Sequence, residues 1–451
     1  MDETTAWARF IHNLKLIPAK HCIGYMESKR MGKWLSSKAV GAITLALLSG
    51  SAVAQLGLPR VGVPQNLPID LPETAIVPVR ALARTLEIAR LDRLTDFVRS
   101  NRDAVEFDGN RNPSVRGVLV ATGADDAAIT KAAAAGFMLL GRERIDGLDI
   151  ELARFAVPND VGLKAAQKRL QKLLPDAEVD ADNIYFQGSA SPSPALSGAI
   201  LASTKMTNAS LGLIDGGVAN HPSVAGRVEQ QGFAKGAPAP SSHGTSVAAL
   251  MIGKGNVSGG APGGSLLAAD VYGLDKAGGN ASAIARSLGW LATRRASVVT
   301  ISLIGPDNAL LRTAIASAQR KGMIIVAAVG NDGPAAPAAF PASYPGVLAI
   351  TGVDTKNRGL PEAGRALHID FAAPGAGIMS AIDDSRAGKV RGTSFAAPLV
   401  AARLSLLYSR PANAAVGPAV RKLMTEAVDI GKKGRDPVFG HGLICGKCVV
   451  R

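Results

Sequence analysis

Aromatic residues make up only 4% of this 451-residue chain against 50 glycines, so packing rests on small side chains and many tight turns. Cysteine is equally scarce, with Cys22 near the start and Cys445 and Cys448 at the very end. Cysteines so placed supply neither a disulfide framework nor a four-ligand zinc set. For Cys445 and Cys448 two alternatives stay open, a small local disulfide in an oxidising compartment or two idle thiols on a frayed tail. The net charge is +14, yet no basic run is interleaved with aromatics. Residues 1–54 hold seven Lys/Arg against three Asp/Glu, and the remaining excess is spread in ones and twos. That pattern is solvated surface charge, with some attraction for anionic envelopes, and no nucleic-acid partner is expected. The apolar run Ala39–Leu48 is too short to span a bilayer permanently. Collagenous and low-complexity signatures are missing as well, while 47% hydrophobic content over this length is enough for two or three domains with a large core.

What is present begins with a leader. Residues 31–54 run from Met-Gly-Lys-Trp through that apolar stretch to small residues at Ala52 and Ala54. A basic start, a short apolar centre and an Ala-x-Ala site make a signal peptide cleaved after Ala54, with Met31 the favoured true start of the 1–54 leader. This predicts an exported product, periplasmic or secreted. Residues 55–113 open with spaced prolines and continue into a helix predicted over 79–99, with Leu82, Leu86, Leu94 and Phe97 on one side; they read as a packing or spacer element.

From 114 to 187 the pattern gives strand 115–121, helix 125–135, strands 137–144 and 148–157, helix 160–174 and strand 177–186. The order βαββαβ is that of a ferredoxin-like unit. Residues 188–198, rich in Gly, Ser, Pro and Ala, form a linker open to cleavage. Beyond it, over 199–444, strands 211–214, 266–271, 298–303, 324–329 and 348–353 are divided by helices 245–252, 281–294, 308–321 and 395–408. Near-continuous apolar strands separated by helices predict a mostly parallel sheet covered on both faces, an α/β fold of three layers. Residues 445–451 are a tail.

Four residues stand where such folds gather their sites, beyond strand ends. Asp215 follows a strand directly, His243 opens a helix, Asn331 ends a strand, and Ser394 precedes a long apolar helix with Pro398 placed in its first turn. Singly, each has a plain structural role: turn residue, helix cap or core histidine. Together they are the types that acyl transfer needs. A histidine takes and returns the serine proton, an aspartate orients it, and an asparagine amide donates to the oxyanion. The chain order Asp, His, Ser and the absence of a G-x-S-x-G elbow argue against an α/β-hydrolase.

On Leu213–Val218, His243–Ala248, Gly260–Pro262, Ile301–Leu303, Ala327–Gly333, Phe371–Gly375, Gly392–Pro398 and Gly440–Leu443, the chain from Leu211 to Leu443 resembles the subtilisin family of serine peptidases. The resemblance implies a subtilisin-like domain preceded by the ferredoxin-like unit as a propeptide, its closing strand at Ala181–Tyr185. It implies Asp215, His243 and Ser394 as the triad and Asn331 in the oxyanion hole. Substrate would lie as a strand along Ser302, Leu303, Ile304 and Gly305, with Ala328 and Gly330 leaving room for an apolar side chain. Two positions depart from the family: Gly216 stands where a hydroxyl residue is usual, and Ile304 replaces a glycine.

The expected function is a self-processing serine endopeptidase acting on protein or peptide substrates, with its own propeptide as chaperone and inhibitor. A subtilase-like scaffold and an esterase or peptide ligase are the alternatives. No cofactor is expected; a calcium site built from backbone carbonyls would leave no mark in the sequence, and no dense Asp/Asn loop is present.

Overall fold

The computed structural model describes residues 79–188 and 210–449. The expected leader, signal peptide and Met31 start, the prolines of 55–78 and the expected linker from 189 onward lie outside the described residues.

Helix α1 (Val79–Ser100) leads into β1 (Val105–Phe107) and β2 (Pro113–Thr122). Then come α2 (Asp126–Ala134), β3 (Met138–Ile145), β4 (Ile150–Ala156), α3 (Leu163–Leu173) and β5 (Glu178–Asn183). Asp125 caps α2 by accepting from the Ala128 N–H at 2.8 Å, which fixes where that helix begins. The strands lie antiparallel in the order β5-β2-β4-β3, with β1 paired to the start of β2. Alternation divides this sheet between two cores. Leu119, Ala121, Ala153 and Phe155 face α2 and α3, while Val120, Ile150 and Leu152 join the core of the larger unit.

The strand predicted over 177–186 breaks after Asn183. Tyr185 turns inward, its N–H donating to the Gly279 carbonyl at 2.8 Å, and Phe186–Gln187 continue as β6 in a different sheet. Another predicted strand, 298–303, breaks at Ser302 into β10 (Val298–Ile301) and β11 (Leu303–Ile304), and β11 is the strand that pairs with β6.

The larger unit holds β7 (Leu211–Asp215), β8 (Val228–Gly232), α4 (Ser242–Ile252), β9 (Leu266–Asp270), α5 (Ala281–Thr293), α6 (Ala309–Arg320), β12 (Ile324–Ala328), β13 (Leu348–Val353) and β14 (Phe371–Pro374). After these come the hairpin β15 (Ala376–Ala381) and β16 (Ala387–Arg391), then α7 (Thr393–Ser405) and α8 (Asn413–Glu426). Seven strands make a parallel sheet in the order β14-β13-β12-β10-β7-β9-β8. Its strands are apolar on both faces because both faces are covered. In β12, Ile324, Val326 and Ala328 join the core under α4, α7 and α8, whereas Ile325 and Ala327 join the core under α5 and α6. The chain order reverses at β7, which has β9 and β8 to one side and β10 and β12 to the other. Ligands bind at such a reversal, outside the C-terminal strand ends.

The ferredoxin-like sheet lies on α5 and α6. Two carboxylates of β5 meet the N-termini of these helices, where unpaired N–H groups and the helix dipole favour an acceptor. Asp182 accepts from the Ser282 N–H and hydroxyl, each at 2.9 Å, and Asp180 accepts from the Ala309 N–H at 3.1 Å. Cys445 and Cys448 form a disulfide. Among the described residues no helix is long and apolar enough to cross a membrane.

Candidate active site

Asp215 is the last residue of β7 and is fully buried. His243 lies in the first turn of α4, whose start is set by Ser241 accepting from the Gly244 N–H at 3.0 Å. The His243 Nδ1 is 2.9 Å from each Asp215 oxygen, so the carboxylate holds the ring in one orientation. The His243 ring also packs on Phe395, centroids 5.3 Å apart. Asp215 also accepts from the Gly216 N–H at 2.7 Å.

The sequence pattern puts Pro398 in the first turn of its helix, but α7 begins at Thr393 with Gly392 as its N-cap, so Pro398 falls in the second turn. There its missing N–H leaves the Ser394 carbonyl without its helical partner. Ser302, the residue at which the 298–303 strand breaks, fills the gap: its hydroxyl donates to the Ser394 carbonyl at 3.0 Å. Ser394 is therefore a first-turn residue and not the cap. Its hydroxyl lies 3.5 Å from the Ser302 carbonyl, and among the described residues no hydrogen bond joins it to His243, whose Nε2 is buried without a partner.

Asn331 accepts from the Thr393 N–H through Oδ1 at 2.8 Å, which leaves its Nδ2 facing the same Gly188 as the Ser394 hydroxyl. Gly392 has φ 137°, and a Cβ there would lie 2.8 Å from that Nδ2, so only glycine admits this approach. Gly216 has an equally local cause: a Cβ there would lie 2.3 Å from the Ser241 hydroxyl. Ser241 fills the space that a hydroxyl residue at 216 would need.

The site is occupied by the chain itself. Strand β6 pairs antiparallel with β11, Gln187 opposite Leu303 and Phe186 opposite Ile304. The Gln187 amide donates to Asp215 at 2.8 Å. A Cβ on Gly188 would lie 2.8 Å from Asn331 Nδ2 and 3.1 Å from the Ser394 hydroxyl. The resemblance implies an inhibiting unit that closes at Ala181–Tyr185; the residues that enter the site are 186–188, just beyond it, and the part played by α1 left no mark in the sequence. Phe97 packs edge-on against Phe186, centroids 5.0 Å apart, and Arg93 forms an ion pair with Asp332, next to Asn331. Burial pushes the Asp332 pKa up and Arg93 opposes this.

Leu303 and Ile304, flanked by Ser302 and Gly305, pair with Gln187 and Phe186, and the Tyr185 ring fills the space over Gly305. The apolar room expected beside Ala328 and Gly330 is taken up: the Ile304 Cδ1 lies 2.8 Å from where a Gly330 Cβ would be. A cavity of about 420 Å³ borders Gly188 and Ile304, with Arg90, Arg93 and Leu94 of α1 as one wall. Among the described residues no three His, Cys, Asp or Glu side chains are gathered as a metal site needs.

Residues 206–442 match the sequence model of the Subtilase family. The chain belongs to the subtilase family. Minor extracellular protease Epr of Bacillus subtilis (strain 168) is 32% identical over 297 residues, which is 64% of this chain and 45% of that protein. The alkaline protease of Alkalihalobacillus alcalophilus is 28% identical over 318 residues, covering 68% of this chain and 80% of that one. This chain thus spans under half the length of the first relative and most of the second. Fervidolysin from Fervidobacterium pennivorans, titled a keratinolytic enzyme related to subtilisin, superposes with a TM-score of 0.58 at 18% identity, over 74% of this chain and 61% of its own. The epidermin leader peptide processing protease EpiP of Staphylococcus aureus gives 0.55 at 16% identity, over 73% and 97%. At these identities the two structures speak for the subtilisin-like fold alone.

Proposed function

We propose that this subtilase is a serine endopeptidase exported as a zymogen that cuts itself. Ser394 attacks the scissile carbonyl while His243 takes its proton, Asp215 holds the imidazolium, and the Asn331 amide with the Ser394 N–H receives the oxyanion; water then releases the acyl-enzyme. The observation that carries the reading is the chain's own segment 186–188, which is laid as a strand on β11 with Gly188 against Ser394 and Asn331. Extended main-chain pairing of this kind is a general way to hold peptide substrate. The unit 114–187 serves as the inhibiting propeptide, whose docking on α5 and α6 also assists a slow-forming parallel sheet. Export rests on the Ala39–Leu48 leader pattern and agrees with the extracellular placement in the name of Epr.

Expression of wild type beside Ser394→Ala tests the proposal. Wild type should shorten between Gln187 and Ala199 and react with a fluorophosphonate label at Ser394, and the variant should do neither. Identical shortening of both would assign the cut to another protease.

A further inference from the structure

We infer that Ile304 makes this peptidase selective for glycine immediately before the cleaved bond, and that its first substrate bond is the one following its own Gly188. The inference rests on the serine endopeptidase reading and gives it a substrate class.

Register fixes the position. With Phe186 opposite Ile304 and Gln187 opposite Leu303, the next residue, Gly188, falls opposite Ser302, whose carbonyl is 3.5 Å from the Ser394 hydroxyl. Gly188 is thus the residue presented to the nucleophile, and the Gln187 side chain, bonded to Asp215, precedes it.

A side chain at this position has two directions open to it, and both are obstructed. Gly188 has φ +61°, and on that backbone a Cβ would collide with Asn331 Nδ2 at 2.8 Å and crowd the Ser394 hydroxyl at 3.1 Å. Turned the other way, it would enter the slot between 302–305 and 328–330. There Ile304 is buried across the gap, its Cδ1 and Cγ2 at 2.8 and 3.2 Å from the place of a Gly330 Cβ. Ala328 and Gly330 keep the far wall small, and Ile304 occupies the space they leave. The cavity bordering Gly188 has α1 for one wall, so it belongs to the uncut chain and not to the cleft that a separate substrate meets.

In the step itself, Ser394 Oγ bonds to the Gly188 carbonyl carbon as His243 takes the hydroxyl proton. The C–N bond after Gly188 breaks, and the departing amine carries that proton away. Water then adds to the acyl carbon, its proton passes through His243 to Ser394 Oγ, and the Gly188 carboxylate is freed.

The experiment has two arms. N-terminal sequencing of the self-cleaved full chain should give Ser189; a start at Gly188 would overturn the register. The processed enzyme is then given peptides differing only in the residue before the cut, Gly, Ala, Leu or Phe. Gly should exceed Leu and Phe by at least about tenfold in kcat/KM, and Ile304→Gly should raise the Leu-to-Gly ratio at least about tenfold. Equal cleavage of Gly and Leu by wild type overturns the inference, as does an unchanged ratio in the variant; if Ile304→Gly fails to fold, Ile304→Ala is read in its place. An enzyme that takes the fluorophosphonate label but shows the wrong preference refutes the glycine assignment alone. One that neither labels nor cuts any peptide refutes the peptidase reading as well.

Discussion

Ser302→Ala isolates a contact that forms because Pro398 stands in the second turn of α7. The Ser302 hydroxyl donates at 3.0 Å to the Ser394 carbonyl, and both residues are buried. Removing the donor strands a buried carbonyl, at a cost of about 1–3 kcal/mol. For a domain of some 150–250 residues each kcal/mol shifts Tm by roughly 2–4 °C, so the expected loss is about 2–12 °C. The measurement is thermal unfolding followed by circular dichroism in the Ser394→Ala background, which keeps the carbonyl and removes self-digestion. A second substitution turns this into a test of cause. Pro398→Ala restores an N–H four residues after Ser394, so in that background Ser302→Ala should cost much less. The pair should show a coupling of about 0.5–3 kcal/mol. If Ser302→Ala costs the same whether or not Pro398→Ala is present, the Ser302 hydroxyl is not standing in for the missing helical bond.

Three further outcomes follow from the site and its docking. Asn331→Ala should lower kcat by about a hundredfold to a thousandfold with KM nearly unchanged; a loss confined to KM would place Asn331 in substrate binding instead. Arg93→Ala should destabilise the uncut chain by about 3 kcal/mol, because it leaves the buried Asp332 carboxylate unpaired. Adding Asp332→Asn should recover much of that loss, which urea unfolding of both variants in the Ser394→Ala background would measure; no recovery would mean that the pair is not what Arg93 supplies. Burial pushes the carboxyl of Asp182 up, against its bonds from Ser282, and burial acts on Asp180 in the same direction. Docked carboxyls with raised pKa bind protons more readily than free ones, so docking is favoured at low pH and weakens as pH rises through the raised values. In the processed but associated protein, dissociation of the docked unit should therefore increase as pH rises above the ordinary aspartate range of about 4. Asp182→Asn should flatten that rise; release that grows toward acid would contradict it.

Five of the seven parallel strands were legible because each is buried on both faces and so reads as an unbroken apolar run, Val298–Ile301 and Ile324–Ala328 above all. Strands β14 and β8 were not: β14 is only four residues long and ends in Pro374, and β8 is an edge with a Val-Glu-Gln-Gln-Gly sequence whose Gln230 is spent bonding both the N–H and the carbonyl of Val218. Helix α8 hid behind Gly417 and Pro418 inside it, two residues that ordinarily argue against a helix. Asp215, His243, Asn331 and Ser394 could be picked out because each is tied to the end of a recognisable element. That residues 186–188, and not the expected closing strand Ala181–Tyr185, enter the site could not be read, because it depends on a partner more than a hundred residues away. Tyr185 illustrates this: Gly279 holds its N–H, the Tyr272 hydroxyl bonds its carbonyl, and its own hydroxyl donates to Pro306. Local pattern assigns Ala177–Phe186 to one strand because the residues suit a strand throughout; only the non-local pairings decide that it ends at Asn183 and that Phe186 and Gln187 change sheets. The same limit applies to Ile304, which the sequence marks as a departure in the cleft. Whether it merely narrows the cleft or closes it to side chains depends on Gly330 lying directly across from it, a relation between β11 and the turn after β12 that no spacing along the chain contains.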